Sequence, residues 1–475
     1  MKIPSKVHFV GAGGIGMSGL AQMLKWLGCD VSGSDRDMDK PENERIIGSL
    51  RKSEIRLYHQ DGSYIKDGKP DFIVFSTAIE KDNPDFRAGE SVPKIHRADA
   101  LAAAIISMKD VTSIAVTGTC GKTTVTSWLA ETLFRMGHDP VALSGGLINS
   151  FSSANFAGNF RPGKGKYFVY EADESDKSLL AFKPDYSLIL NMGNDHYPIS
   201  ELVEVFKKFT VNTAKGVVIG DSVKVNIPDF IPGKIKCLSF GEAKTDEWQL
   251  VSYKIEKGSP MAEISRSNSK SVKVKLPSPG RHNALNAVSI LAAIDILGLY
   301  NKGCEEHISS FGGVWRRFNI KGKNKSGAQV IDDYAHNPEK IASCIRTARE
   351  ITDGRILAIF QPHGFGPLKF MKDNLFTEVE KALGGDDQFI FLPVYYAGGS
   401  TTFSPTSEEI VCEYLKKSEK KYLAFASRDE VEKHIASEAS ARDTVLIMGA
   451  RDNSLSTWAE KLASNAFNSV RCLSI

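Results

Sequence analysis

Residues 112–137 read TSIAVTGTCGKTTVTSWLAETLFRMG. Residues 113–116 are short, apolar and rich in β-branching, as a buried strand requires. Residues 117–121 make a small glycine-bearing turn. From Lys122 the spacing of Val125, Trp128, Leu129 and Leu133 predicts a helix with one apolar face, ended by Gly137. A glycine turn between a strand and a helix aims backbone N–H groups and a helix N-terminus at an anion. Lys122 has the reach for a β/γ-phosphate, and the Thr123 hydroxyl can ligate Mg²⁺. The fuller pattern G-x-x-x-x-G-K-[ST] carries glycine where Val116 stands. A glycine turn that merely happens to precede a lysine is the competing reading; agreement of strand, turn and helix counts against it. Alone, the motif says only that a nucleotide binds.

The totals set bounds. A chain of 475 residues suggests about three domains, and 42% hydrophobic residues supports ordinary cores. A formal charge of +3 argues against a dedicated nucleic-acid surface, which needs a strongly basic face. No apolar run approaches the ~20 residues of a membrane helix. The opening residues, MKIPSKVHFVGAGG, run straight into a strand and glycine turn, so no signal peptide is expected. The seven cysteines are scattered without a CxxC pair, so neither a zinc site nor a disulfide framework is indicated, and a reducing cytoplasm fits.

Working outward, residues 7–10 read as a strand, followed by GAGGIG at 11–16, a helix to about Leu27, and a second strand ending at Asp35. This βαβ unit with G-x-G-x-x-G reads first as a dinucleotide domain. Against that, the domain closes near residue 106 and a triphosphate-type loop begins, which a dehydrogenase does not need. After the central helix, residues 144–166 are rich in glycine, serine and asparagine and read as a surface loop, ordered or mobile. A strand at 167–170 delivers EADESD at 171–176; four carboxylates at a strand end suggest a metal site, with a solvated acidic turn as the alternative. A further strand at 186–190 ends in NMGNDH, and His196 in this company is a candidate ligand. Both strand ends and the phosphate loop are expected at one sheet edge. Residues 215–240 and 248–276 read as short strands, the second stretch with a solvated, lysine-rich face. Asn283 and Asn286, three apart at the head of an apolar helix over 287–297, can read an adenine edge or cap the helix. Strands at 330–332, 356–360, 388–392 and 444–448 alternate with helices as a second doubly wound unit.

In this order, VGAGGIGMSGLA, GSD, DFIVFSTAI, VTGTCGKTT, EADESD, NMGNDH, PGRHNALNA, WRRFNIKG, VIDDYAHNP, FQPH and MGA give a chain that resembles the Mur ligase family almost end to end. The family's short G-T-x-G-K-T loop accounts for Val116. The resemblance implies an α/β fold of three domains: an N-terminal Rossmann-like domain for a UDP-sugar (1–108), a central P-loop ATPase domain (109–312) and a C-terminal Rossmann-like domain (313–475). It implies an ATP-dependent amide ligase of peptidoglycan precursor synthesis. An amino acid, L-alanine by expectation, or a short peptide would be joined to the carboxylate of UDP-N-acetylmuramate through an acyl phosphate.

The resemblance also implies roles. ATP is expected at Gly118, Thr119, Cys120, Gly121, Lys122, Thr123, Thr124, His282, Asn283, Asn286, Arg317 and Asp333. Mg²⁺ is expected at Thr123, Glu171 and His196, with Lys122, Glu171 and His196 catalytic. The UDP-sugar is expected at Gly11, Gly13, Gly14, Ile15, Gly16, Asp35, His59 and Ser76, in place of NAD. The amino acid is expected at Tyr334 and His336. Closure of the third domain would assemble the site. The enzyme would act in the cytoplasm as a monomer or weak homodimer, without nucleic acid or membrane. Alanine-joining members carry H-R-Y-S-R-T after FQP, whose arginines hold the amino-acid carboxylate; here residues 363–369 are HGFGPLK. Arg451 is the candidate replacement and Lys369 the second. An ion pair of Arg451 with Asp452 or a surface carboxylate is the alternative. Cys120, where the family commonly has histidine, is read as a tolerated change. A peptide or other amine acceptor, a nucleotide sensor without turnover, and a dehydrogenase remain the competing functions.

Overall fold

A parallel strand covered on both faces needs apolar side chains on both, and the uninterrupted apolar runs do form such strands. In the computed structural model, which describes residues 5–193, 197–227, 235–267, 269–396 and 403–464, they assemble into three sheets. The first is parallel throughout, in the order Arg56–His59, Asp30–Asp35, Lys6–Val10, Phe72–Phe75, Lys94–His96. The helix Ile15–Trp26 returns from its central strand, and Gly28 ends it at φ +93°, a left-handed conformation open to glycine.

The second sheet has ten strands. Its parallel core runs Lys236–Gly241, Gly216–Gly220, Tyr186–Ile189, Thr112–Thr117, Tyr167–Glu171, Val141–Leu143. Antiparallel strands Trp248–Glu256, Ser259–Arg266 and Val272–Lys275 extend one side, with one face solvated as their alternation predicts. Against the core lies the helix Lys122–Arg135. Its Trp128 is buried, stacks on Phe311 with ring centroids 5.1 Å apart, and donates its indole N–H to the Ile308 carbonyl at 2.9 Å. The third sheet places an antiparallel edge strand, Asn319–Lys323, beside parallel strands Gln329–Asp333, Thr444–Gly449, Ile356–Gln361, Gln388–Phe391 and Lys421–Ala424. The fold is therefore α/β, with Rossmann-like sheets before and after a central α/β domain. The first two sheets belong to one compact unit, Met1–Pro277 with Arg281–Trp315; the third belongs to another, Ser278–Gly280 with Arg316–Ile475.

Three local expectations change. The helix expected over 287–297 begins earlier, spanning Arg281–Ile296, because polar Asn283 and Asn286 are buried inside it rather than ahead of it. A helix, Asp221–Asn226, interrupts the stretch read only as strands. Residues 144–166 are a surface loop only in part, with 152–155 exposed. Leu147, Ile148, Phe151, Ala157, Asn159 and Phe160 are buried, because this segment is the seam of the first unit. On one side Asn159 Nδ2 donates to the Ile15 carbonyl at 2.6 Å and Ser18 Oγ at 2.8 Å. On the other, Ile148 bridges Val314, and the Trp315 N–H reaches the Leu147 carbonyl at 2.9 Å.

The second unit is pinned by an arginine only 1% exposed. Arg316 donates Nε to Asp332 at 3.2 Å, Nη1 to the Asp452 carbonyl at 3.0 Å and Nη2 to the Gly449 carbonyl at 2.6 Å. Removing one partner of a buried pair strands the other charge. Arg316→Ala should cost the C-terminal unit about 3–5 kcal/mol. Denaturation read by hydrogen exchange in the strand Thr444–Gly449 checks this, and unchanged protection would contradict it.

Candidate functional site

Three neighbouring strands of the central sheet end side by side. Thr117 pairs with Ile189 on one flank, and Val116 with Glu171 on the other. The glycine turn therefore rises between the ends of Tyr186–Ile189 and Tyr167–Glu171. Gly118 sits at φ +136° and Gly121 at φ +85°, where an L side chain is strained. Asn191 closes the turn: its Oδ1 accepts the Cys120 N–H at 2.8 Å and its Nδ2 donates to the Cys120 carbonyl at 3.0 Å. Thr119 Oγ1 accepts the Gly193 N–H at 3.0 Å. Thr123 is buried in the first helical turn, Thr124 is half-buried and Cys120 is exposed. Asn286 lies over the turn, its Oδ1 3.0 Å from where a Cβ on Gly121 would stand, and its Nδ2 donates to Asn283 Oδ1 at 3.4 Å. His282 is exposed at the start of the same helix.

The acidic run 171–176 divides. Glu171 Oε2 accepts the Gly145 N–H at 2.9 Å, while the neighbouring Gly146 is packed by Thr123 Cγ2. These two glycines hold Glu171 and Thr123 to the same short turn. Glu174, 2% exposed, turns instead to Lys122 at 2.7 Å; Asp173 lies 3.9 Å from the same ammonium. Asp176 faces His96 at 3.7 Å. Burial works against the Lys122 charge, but Glu174, Asp173 and Glu171 outweigh it and raise its pKa. Burial likewise pushes Asp173 up, and Lys122, Ser175 and Arg97 bring it below the usual carboxylate range.

A hydroxyl and a carboxylate are the hard oxygen donors that Mg²⁺ selects, so Thr123 and Glu171 fit that ion. His196 lies outside the described residues, and no cluster of three His, Cys, Asp or Glu side chains with metal-holding geometry occurs among those described.

In the first sheet, Gly11 follows the central strand and Ser76 follows its neighbour, so both flank the point where strand order reverses. Gly11 at φ +77° packs against Ile79 of the loop after Ser76. Gly14 caps the helix that Ile15 and Gly16 begin. Asp35 Oδ2 accepts the Gly13 N–H at 2.8 Å and its Oδ1 the Asp37 N–H at 2.9 Å. His59 pairs in register with Asp35 and is exposed, 3.6 Å from Asp39.

Sequence reasoning missed Arg97, whose only signal is a basic residue opening a helix at a strand end. Its Nη1 stands 2.9 Å from where a Cβ on Gly16 would be, and its Nη2 pairs with Asp173 at 3.4 Å. One guanidinium thus touches both glycine turns' surroundings.

In the C-terminal unit, adjacent strand ends gather Tyr334 and His336, Arg451, and His363. His336 Nδ1 lies 3.0 Å from the Tyr334 carbonyl, which can only accept, so Nδ1 carries the proton and Nε2 keeps its lone pair. Burial holds the His336 pKa down, to about 4. The ring meets His363 edge-on at 5.2 Å; His363 Nδ1 is buried without a hydrogen-bond partner among the described residues. Burial lowers the His363 pKa, and Arg451 lowers it further. Arg451 is exposed at φ +64°, its N–H 3.4 Å from Tyr334 Oη. Asp452 is paired with Arg428 at 2.6 Å, and Arg451 has no ion pair among the described residues. Arg317 stacks over Tyr334 at 5.4 Å. Asp333 accepts the N–H of Phe318 at 2.6 Å and of Ala335 at 2.7 Å; burial pushes its pKa up against the pull of Arg317 and these donors.

Known proteins match this chain along nearly its whole length. Residues 6–108 match the Mur ligase family catalytic domain, 116–294 the Mur ligase middle domain, and 316–451 the Mur ligase glutamate ligase domain. The UDP-N-acetylmuramate–L-alanine ligase of Chelativorans sp. (strain BNC1) is 33% identical over 97% of this chain and 99% of its own. The crystal structure of UDP-N-acetylmuramate-alanine ligase from Thermotoga maritima superposes with TM-score 0.78 at 29% identity, covering 98% of this chain and 99% of the other. A murein peptide ligase from Psychrobacter arcticus shares the fold, with TM-score 0.67 at 20% identity and coverage of 97% and 98%. The chain belongs to the Mur ligase family.

Proposed function

We propose that this protein is an ATP-dependent amide ligase that joins an amino acid, foremost L-alanine, to the carboxylate of UDP-N-acetylmuramate in peptidoglycan precursor synthesis. The observation that carries this reading is Arg97, which links the start of the Gly16 helix to the Asp173–Lys122 group. A sugar-nucleotide cradle and a nucleotide-phosphate cradle then lie beside one another in a single unit. The family's alanine ligases, similar along nearly the whole chain, supply the substrates. Domain boundaries at 108 and 312 belong to the same proposal.

The chemistry is a substrate carboxylate oxygen attacking the γ-phosphorus of ATP, with ADP leaving. An amine nitrogen then attacks the resulting acyl phosphate, and phosphate leaves. Two anions must approach, so charge neutralisation and alignment carry most of the rate. Lys122 and the helix N-terminus behind it meet the phosphates, and Asn283 and Asn286 are assigned to adenine. Thr123, Glu171 and His196 would hold Mg²⁺, which would supply further positive charge at the phosphates. The turn at residues 11–16, shaped by Asp35, is assigned to the UDP-sugar with His59 and Ser76. Arg317 and Asp333 are assigned to the nucleotide, and Tyr334, His336 and Arg451 to the amino acid. A left-handed, non-glycine Arg451 without an ion pair among the described residues is a strained cation awaiting an anion, which supports this last assignment. A reducing, cytoplasmic setting is part of the proposal, supported by six described cysteines that are all free. Among the described residues no helix is long and apolar enough to cross a membrane.

Phosphate release with ATP, UDP-N-acetylmuramate and a panel of amino acids and peptides tests the reading directly. Folded Lys122→Ala should lose ~10²-fold or more in turnover; wild-type release from it would remove the assignment. Arg451→Ala should raise the amino-acid KM at least ~10-fold while those for ATP and UDP-sugar stay nearly constant, since a bidentate carboxylate partner is lost. An unaltered amino-acid KM would rule Arg451 out.

His336 gives a pH prediction. Its folded pKa of about 4 lies below the ordinary histidine value of 6.5. Its stabilising contribution is therefore complete above pH 6.5 and is lost as pH falls toward 4. Nitrogen-15 NMR should show a neutral Nδ1–H tautomer at pH 6; titration near pH 6.5 would contradict the burial argument.

A further inference from the structure

We propose that Glu174 is a positioning residue for phosphoryl transfer: its ion pair holds the Lys122 ammonium beside the Gly118 carbonyl, in one place to meet a phosphoryl oxygen. The inference rests on the ligase reading above and gives a separate role to one carboxylate of the run 171–176.

A lysine ammonium has three donors. One goes to the Gly118 carbonyl at 2.9 Å. Glu174 Oε2 holds the same ammonium at 2.7 Å as an ion pair, outside hydrogen-bond alignment. Both partners are anchored, the first by a left-handed glycine backbone and the second by burial to 2% exposure. Asp173 is a poor substitute. It stands 3.9 Å away, pairs with Arg97 at 3.4 Å and accepts the Ser175 N–H at 3.2 Å. Among the described residues Lys122 is the cation paired with Glu174, so a buried carboxylate and a buried ammonium each fix the other. Without that tether a four-carbon stem samples many rotamers, and its charge is spread over them. With it, the ammonium has one place before any nucleotide arrives, which is the preorganisation that electrostatic catalysis needs. A charged group aimed by its neighbour acts on the transition state more than on ground-state binding.

The test compares the full-length wild type with Glu174→Gln and Glu174→Ala. Glutamine keeps an oxygen at the same reach; alanine keeps none. Initial rates of phosphate release are measured with ATP, Mg²⁺, UDP-N-acetylmuramate and the acceptor panel, and the Kd for Mg-ADP by calorimetry. Expected are a kcat lower by ~10-fold in Glu174→Gln and ~10²-fold in Glu174→Ala, with Mg-ADP affinity changed by less than about threefold in both. A kcat equal to wild type in either folded variant overturns the proposal, as does a rate loss matched by the loss of Mg-ADP affinity. Should Glu174→Ala not fold, Glu174→Gln decides alone. A Glu174→Gln that does not fold assigns the residue to stability and overturns the proposal. If the wild type releases no phosphate with any acceptor, the ligase reading falls and takes this inference with it. Release by the wild type with indifferent variants removes the inference alone.

Discussion

The glycine turn at residues 117–121 keeps its shape because one side chain imitates a strand neighbour. Asn191 accepts from the Cys120 N–H and donates to the Cys120 carbonyl, the same two bonds that a peptide group makes in a ladder. A turn with two left-handed glycines gains little from its own backbone and must be closed from outside. That closure is available only because the strands Thr112–Thr117 and Tyr186–Ile189 run parallel and in register, which delivers Asn191 at the level of the turn. Glu171 arrives at the same level on the other flank by the same rule. The sheet register is thus the constraint from which the placement of Lys122, Thr123 and Glu171 follows.

The same physics explains why a glycine-rich βαβ start need not imply a dinucleotide. Glycines at 11, 13 and 16 permit close approach by any diphosphate. Asp35, which the dinucleotide pattern would leave to a ribose, has both oxygens bonded to backbone N–H groups of Gly13 and Asp37. The carboxylate shapes the turn. A pattern of residue types cannot distinguish a turn-shaping acid from a ligand-reading one, because the difference lies in where two N–H groups point.

Elements set by local pattern were legible in the sequence. The strands around Ile114, Val169, Leu188 and Leu446 are apolar on both faces, and the helix from Lys122 has a single apolar stripe with Gly137 at its end. Contacts across long separations were not. Residues 144–166 have the composition of a solvated loop, yet their small side chains are there because neighbours leave no room: a Cβ on Gly145 would lie 2.5 Å from Glu171 Oε2, and one on Gly158 2.5 Å from the Ile148 carbonyl. Arg316 and Arg317 are adjacent and chemically alike, and both lie over the Tyr334 ring, but only the buried Arg316 ties strand ends together. The acidic run read as one metal site divides by geometry, with Glu171 beside Thr123 and Glu174 on Lys122. Alternation and spacing carry no information about such partners, which sit tens of residues away.

The seam at residues 144–151 has a further consequence. Its first residues touch Glu171 and Thr123 through Gly145 and Gly146. Its next pair with residues 312–315: Leu147 with Trp315, Ile148 with Val314, and Asn149 with Gly312 and Gly313. Ser150 then donates to Glu131, which also accepts the Gly312 N–H and so binds the helix Lys122–Arg135 into the same strip. Every residue from 145 to 150 is engaged, and the glycines have no space for a larger side chain. The segment is a ruler of fixed length. It sets how far the last residues of the first unit stand from the Glu171 carboxylate. An insertion or deletion of one residue within it would break one end of that measure, so the strip is expected to keep its length, and to keep glycine at 145 and 146.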